Sequence, residues 1–286
     1  MKLKIKIAKS LSIVLAIAFV FSACQKLERP ALGDYPKDPP PPPYSILKSY
    51  FSFDNTDRDT GQYRLPVTSK NISYVTGVSG QAAQIGDGGY IFSTKLNDSL
   101  KTIGSFSVAF WMKGAAGPVQ NGAQGIFAIS NSAQFWGNLE MFMENYSDPT
   151  DPNAVWLKIH MFNASATGGG EEWTADDNSK LKNVLGKWTH IALTYDAATS
   201  KLSLYKDGMP TAVNGKVLEG GNYGNITWTG VTGLVLGSYA FQTSPSLTNH
   251  GPESWAKSFN GALDNFRLYN VAISASDVLS LYTNKQ

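Results

Sequence analysis

Gly186-Lys187-Trp188-Thr189-His190-Ile191-Ala192-Leu193-Thr194-Tyr195, followed by Leu202-Ser203-Leu204-Tyr205-Lys206-Asp207-Gly208, is the stretch that decides the fold class. Ile191, Leu193 and Tyr195 recur at every second position, as do Leu202 and Leu204. This is the period of strands with one apolar face. Asp207-Gly208 signals a tight turn, because glycine takes positive φ without steric cost. In residues 105–113 the same alternation gathers Phe106, Val108, Phe110 and Met112 on one side. Residues 233–237 and 261–270 read as further strands. Together they predict an all-β sandwich of two antiparallel sheets. The one clear helix is expected at the end of the chain. Ser274 caps it with Asp277 three residues on, and Ala275, Val278, Leu279 and Tyr282 share a face.

The chain's first residues carry Lys2, Lys4, Lys6 and Lys9, then an apolar run from Leu11 to Phe21, then Ser22-Ala23-Cys24. Charged, apolar and small residues in that order predict a secretory signal over residues 1–23. The apolar run is shorter than the ~20 residues of a spanning helix. Cys24 is the only cysteine in 286 residues, so no disulfide forms within the chain. Without the four signal lysines, 20 basic residues face 22 acidic ones. That balance argues against a nucleic-acid partner. Residues 24–43, with Pro30, Pro36 and Pro39 to Pro43, read as an extended tether. Residues 44–286 then form a single domain.

Phe21-Ser22-Ala23-Cys24 resembles the lipobox of bacterial lipoproteins. The resemblance implies a cysteine diacylated on sulfur, and hence a membrane partner reached through a lipid anchor. Gln25-Lys26 with Glu28 looks like the surface-export signal of Bacteroidetes lipoproteins. A cell-envelope, outer-membrane location is the corresponding expectation.

Three stretches together resemble the laminin-G-like, concanavalin-A-like jelly-roll family. They are residues 105–113, residues 186–208, and Gly261-Ala262-Leu263-Asp264-Asn265-Phe266-Arg267-Leu268-Tyr269-Asn270, with Phe53-Asp54-Asn55 as an opening. The resemblance places Trp111 and Trp188 in the sandwich core. It also implies a structural Ca²⁺ between the first and last strands, with Asp54, Asp57 and Asp264 as candidate ligands and Asp59 nearby. Strict alternation puts Asp264 on the inward face of Phe266 and Leu268, where a carboxylate must be paired, hydrogen-bonded or metal-bound. His190 reads as a hydrogen-bonded strand residue.

Residues 138–145 depart most from the family pattern. They read as a strand with Glu140, Phe142 and Glu144 on one face, near Trp136, Trp156, Trp173 and the 168–170 glycines. Indole faces take the C–H face of a sugar, and carboxylates take its hydroxyls. Trp136, Glu140, Glu144 and Trp173 are therefore the candidate glycan ligands of a non-catalytic carbohydrate-binding domain. The alternative is an adhesion or assembly role with an outer-membrane protein partner. A third reading, glycoside hydrolysis, would use Glu140 and Glu144, but Phe142 stands where related glucanases carry an aspartate. If Cys24 is the anchor, Cys24→Ala abolishes incorporation of a labelled fatty-acid analogue, whereas undiminished label in the variant contradicts lipidation there.

Overall fold

The computed structural model describes residues 44–94, 100–167 and 170–285. The signal, the tether, Cys24, Gly168 and Gly169 lie outside the described residues. Tyr44–Gln286 forms one compact unit. Its strands are β1 (Leu47–Phe51), β2 (Thr68–Thr76), β3 (Gln81–Ser93), β4 (Phe106–Gly114), β5 (Ala123–Ile129) and β6 (Leu139–Met143). They continue with β7 (Val155–Phe162), β8 (Glu171–Thr174), β9 (Lys180–Leu181), β10 (Thr189–Asp196) and β11 (Lys201–Lys206). Then come β12 (Met209–Pro210), β13 (Lys216–Val217), β14 (Leu234–Leu236), β15 (Ala256–Ser258) and β16 (Gly261–Tyr269), and the helix α1 (Ala275–Thr283). No helix among the described residues is long and apolar enough to cross a membrane.

One hydrogen-bonded path runs β12-β11-β10-β4-β16-β3-β14-β5-β6-β7-β8. It is antiparallel throughout, and the only parallel pairing among the described strands is the side pairing of β15 with β5. The two layers of the jelly roll are thus halves of one curled sheet, a back layer β12-β11-β10-β4-β16-β3 and a front layer β3-β14-β5-β6-β7-β8, and β3 carries the curl. Ala83–Ile85 pairs with β16, whereas Ile91–Ser93 pairs with β14. Between these halves lie Gly86, Gly88 and Gly89. A Cβ on Gly86 or Gly89 would come within 2.9 or 2.7 Å of the Asn71 carbonyl, so the strand bends where only glycine fits.

Alternation then sorts the side chains. Phe106, Val108, Phe110 and Met112 of β4 point into the core between the layers. There Phe110, Phe127 and Phe266 pack with ring centroids 5.7–6.0 Å apart. Ala109 and Trp111 face the other side of the back layer, where α1 lies. Ala109, Ala192, Tyr205 and Tyr269 pack there against Val278 and Leu281. The predicted cap is present: Ser274 and Asp277 form a reciprocal capping box. The predicted helix face is rotated, however. Val278 and Leu281 are buried, Ala275 is exposed, and Leu279 is 43% exposed over the Asp207-Gly208 turn.

Two further expectations are corrected by the geometry of the back layer. Trp111 is buried, but beneath α1 rather than between the sheets, stacked on Tyr282 with centroids 5.5 Å apart. Asp264 does not share a face with Phe266 and Leu268. Asp264 pairs with Trp111 and Arg267 with Ala109, so two residues of β16 oppose one of β4. That is a bulge, with Asn265 in the left-handed region at φ 52°. The extra residue moves Asp264 to the outer face while Phe266 and Leu268 stay in the core.

Candidate functional site

Strand β6 is buried along its whole length. Leu139, Met141 and Met143 belong to the core between the layers. Glu140 and Phe142 therefore face the other side of the front layer. Cross-strand register builds a row on that side: Val235, Ala128, Glu140, His160 and Trp173 lie opposite one another from β14 to β8. A segment between β14 and β15 roofs this face. Its Ala240 and Leu247 pack on Tyr90, Phe92, Ala128 and Val235, and its Tyr239 and Phe241 pack on Phe142. The roof is pinned by its own polar groups. Gln242 donates through Nε2 to the Glu253 carbonyl at 2.8 Å, and Asn249 Nδ2 donates to the Ala133 carbonyl at 2.7 Å. The Ser244 amide donates to the Tyr90 hydroxyl at 3.1 Å.

At the edge of the roof three indoles converge. Trp136 meets Trp173 edge-on at 5.1 Å and Trp255 at 6.0 Å between centroids. Trp136 also stacks on Phe142 at 5.7 Å with rings within 3° of parallel. Trp136 and Trp173 are half-buried, and Trp255 is 39% exposed. Phe135 lies beneath, stacked on Phe241 at 4.6 Å. Glu171 orients Trp173 by accepting its indole N–H at 3.1 Å, and the same oxygen lies 3.3 Å from His160 Nε2. On the far side Glu253 faces His250 Nδ1 at 3.4 Å. The result is an aromatic platform open to solvent, with carboxylates along its margin.

Of the sequence-derived ligands, Trp136 and Trp173 lie together in this platform. Glu140 lies in the same row but is 1% exposed beneath the roof, so it does not reach solvent as a hydroxyl acceptor. Burial pushes its carboxyl up to about 8, offset only in part by the backbones of Gly137 and Ala240. Neither carboxylate oxygen has a partner at ordinary hydrogen-bond geometry. Burial likewise lowers His160 to about 4, against the opposing pull of Glu171. Glu144 lies further along the chain from Phe142, ion-paired to Lys158 at 2.9 Å. The Lys158 ammonium in turn sits 4.4 Å over Trp156, which Lys180 also covers at 4.8 Å. Trp255 and Glu253 escaped the sequence reading. Their signal was an indole in the polar, strand-poor stretch Gly251-Pro252-Glu253-Ser254-Trp255.

The aspartates divide in the same way. Asp264 Oδ2 accepts the Val78 amide at 2.7 Å, and Asp54 Oδ1 accepts the Gln81 amide at 2.8 Å. Both carboxylates thus hold the turn between β2 and β3. A Cβ on Gly77 would come 2.4 Å from Asp264 Oδ2 and one on Gly80 2.0 Å from Asp54 Oδ1, so the turn closes directly onto them. Asp264 Oδ1 is buried without a partner, and burial, aided by the nearby Asp54, raises its carboxyl to about 6. Asp57 accepts a hydrogen bond from Ser69 Oγ instead. Asp59 accepts the amides of Tyr50, Gly61 and Leu65. His190, expected to be hydrogen-bonded, has no partner on either ring nitrogen; it packs on Trp111 at 5.2 Å, and burial, with Arg267 nearby, lowers it to about 4.

Residues 86–279 match the laminin-G-like domain described as the concanavalin A-like lectin/glucanases superfamily, and the chain belongs to it. Among solved structures, the fold is similar to domain 4 of AbnA, a GH43 extracellular arabinanase from Geobacillus stearothermophilus, in complex with arabinotriose. That likeness has a TM-score of 0.53 at 22% identity, over 82% of this chain and 98% of that one. The binding domain of Paraclostridial Mosquitocidal Protein 1 is similar at a TM-score of 0.56 and 15% identity, over 84% of this chain and 52% of that one. The binding domain of botulinum neurotoxin DC, in complex with rat synaptotagmin II, gives 0.51 and 15%, over 84% and 51%. The chain spans about half the length of these toxin domains. A search of curated proteins gives no match.

The buried Glu140 has a consequence for stability. Its folded pKa stands above the reference of 4.5, so the folded protein keeps a proton that the unfolded chain releases. The stabilisation is complete below pH 4.5 and is lost as pH rises to about 8. His160 and His190, lowered from 6.5 to about 4, act with the opposite sign: stability falls as pH drops through that range. Comparison with Glu140→Gln isolates the carboxyl. Denaturant melts from about pH 5 to about pH 9 should show wild-type stability declining more steeply than that of the variant. Parallel curves would show that Glu140 does not titrate in this window.

Proposed function

We propose that the chain is a non-catalytic carbohydrate-binding protein of the cell envelope, lipidated at Cys24, whose Trp136, Trp173 and Trp255 stack on sugar rings. The observation that carries this reading is the convergence of three partly exposed indoles at the edge of the roofed sheet face. Folded proteins normally bury such area, and a cluster left open is a contact surface. Indoles give flat apolar area to the C–H face of a pyranose or furanose, and Glu171 and Glu253 accept hydroxyl hydrogen bonds at the margin. The family and the arabinotriose complex of a similar domain support a saccharide ligand. The burial of Glu140 and the ion pair of Glu144 favour binding over hydrolysis. A retaining pair works at ~5–5.5 Å with both groups at the substrate.

Trp255 is the cleanest handle, because it is the most exposed of the three. Trp255→Ala and Trp173→Ala should each weaken binding of a neutral oligosaccharide, chosen by glycan array, by about tenfold in calorimetric titration. Trp156→Ala, at the indole covered by Lys158 and Lys180, should leave it unchanged. Retained affinity in both platform variants contradicts the reading. A blank array with recovery of one outer-membrane protein in a pull-down favours the adhesion and assembly role instead.

A structural Ca²⁺ is a second proposal, and the orphaned Asp264 Oδ1 favours it. Asp264 and Asp54, both at the β2–β3 turn, would be its side-chain ligands; Asp57 is held by Ser69, and among the described residues no group of three or more such side chains is placed to hold a metal. Calcium takes six to eight oxygens, so backbone carbonyls and water would complete the set. Chelator should then lower the melting temperature of the wild type and leave Asp264→Ala unaffected. Equal melting of the wild type with and without chelator, after verified metal removal, contradicts the metal.

A further inference from the structure

A second surface, away from the roofed face, has room for a ligand. On the outside of the back layer, register lines up Ser73, Gln84, Ala262 and Lys113 across β2, β3, β16 and β4. Trp188 precedes Thr189, the partner of Met112, and so stands beyond Lys113 at the end of the row. Ala262 is the low point between Gln84 and Lys113, and a cavity of about 570 Å³ opens over it, with Trp188 on its wall. Cavities of about 390 and 200 Å³ adjoin it, and Asn260 lines all three. They form one trough. Asn260 is fixed at its centre by its backbone, which donates to Gln124 Oε1 at 2.8 Å and accepts from the Ala115 amide at 2.9 Å.

Several of the trough's polar side chains are unspent. Among the described residues, the side chains of Lys113, Gln120, Asn121, Lys257 and Asn260 make no hydrogen bond or ion pair. Gln84 uses only its amide nitrogen, 3.0 Å from the Gly261 carbonyl, so its oxygen is open. Amides that both donate and accept suit adjacent hydroxyls, and small floor residues let a ring approach the backbone. Trp188, half-buried and lining the cavity rather than filling the core, supplies a stacking surface at one end. The charges differ from those of the platform. Two unpaired lysines stand against a single carboxylate, Asp87, in the trough. The platform's margin carries Glu171 and Glu253.

We propose that this trough is a second saccharide-binding site, independent of the aromatic platform, and that it takes an extended oligosaccharide bearing carboxylates. Lys113 and Lys257 pair with uronate groups, the amides take ring hydroxyls, and Trp188 stacks on a terminal ring. Acidic chains are disfavoured at the platform by its carboxylates, so the two sites divide ligands by charge.

The test is calorimetric titration of the full-length chain with galacturonate, glucuronate and guluronate oligomers, beside neutral oligomers of equal length. In Trp173→Ala/Trp255→Ala, which lacks the platform, at least one acidic oligomer should bind about tenfold more tightly than its neutral counterpart, with affinity falling as salt rises. The double variant Lys113→Gln/Lys257→Gln should weaken that binding by about tenfold. These exposed positions should leave the melting temperature unchanged. Trp173→Ala/Trp255→Ala should leave acidic binding intact, which separates failure of the trough from failure of the platform. No binding to any uronate oligomer, equal binding of acidic and neutral chains by the platform variant, or indifference to the lysine substitutions would each overturn the proposal.

Discussion

The front layer of this jelly roll is apolar on both faces, and much of the rest follows from that constraint. A strand that alternates Leu139, Met141 and Met143 with Glu140 and Phe142 cannot leave its second face in water when that face also holds Phe92, Ala128 and Val235. The chain satisfies it with the segment between β14 and β15, whose Tyr239, Phe241 and Leu247 serve as a third layer. Burying aromatic side chains of this size supplies on the order of 1.5–3 kcal/mol each. The roof is therefore part of the folded domain rather than a loop laid over it.

Roofing the sheet fixes the electrostatics beneath it. Glu140 and His160 are cross-strand partners in a region closed to water. Both are driven toward neutrality, the carboxyl by a raised pKa and the imidazole by a lowered one. No buried charge then has to be compensated. Where the roof ends, the aromatic cluster meets solvent, and Trp136, Trp173 and Trp255 are left partly open. The platform is thus the exposed edge of a packed layer. Its indoles are held in fixed orientations by Phe135, Phe142, His160 and Glu171.

The sequence made the strands legible because period-two patterns survive wherever one face is buried. Residues 105–113, 189–196 and 201–206 read directly, and so did the Ser274 cap. What it hid were departures from strict alternation. The bulge at Asn265 reverses Asp264 relative to Phe266, and no residue type in Asp264-Asn265-Phe266 announces that extra count. Trp188 and Trp111 look alike in one dimension, yet one lines a trough and the other lies under α1. Within the site, Trp136 and Trp173 were legible as indoles near an unusual strand. Trp255 was not, because it arrives from more than a hundred residues away on the roof. Burial of Glu140 depends on that same roof, which has no periodic signature.

Sugar binding at the exposed edge of the roofed layer can be read from the indoles themselves. The most direct measurement is the nuclear magnetic resonance of the seven indole N–H groups during titration with a neutral oligosaccharide. Shifts are expected at Trp136, Trp173 and Trp255, with the buried Trp111 and Trp228 unmoved. Saturable binding that leaves those three resonances in place would contradict it.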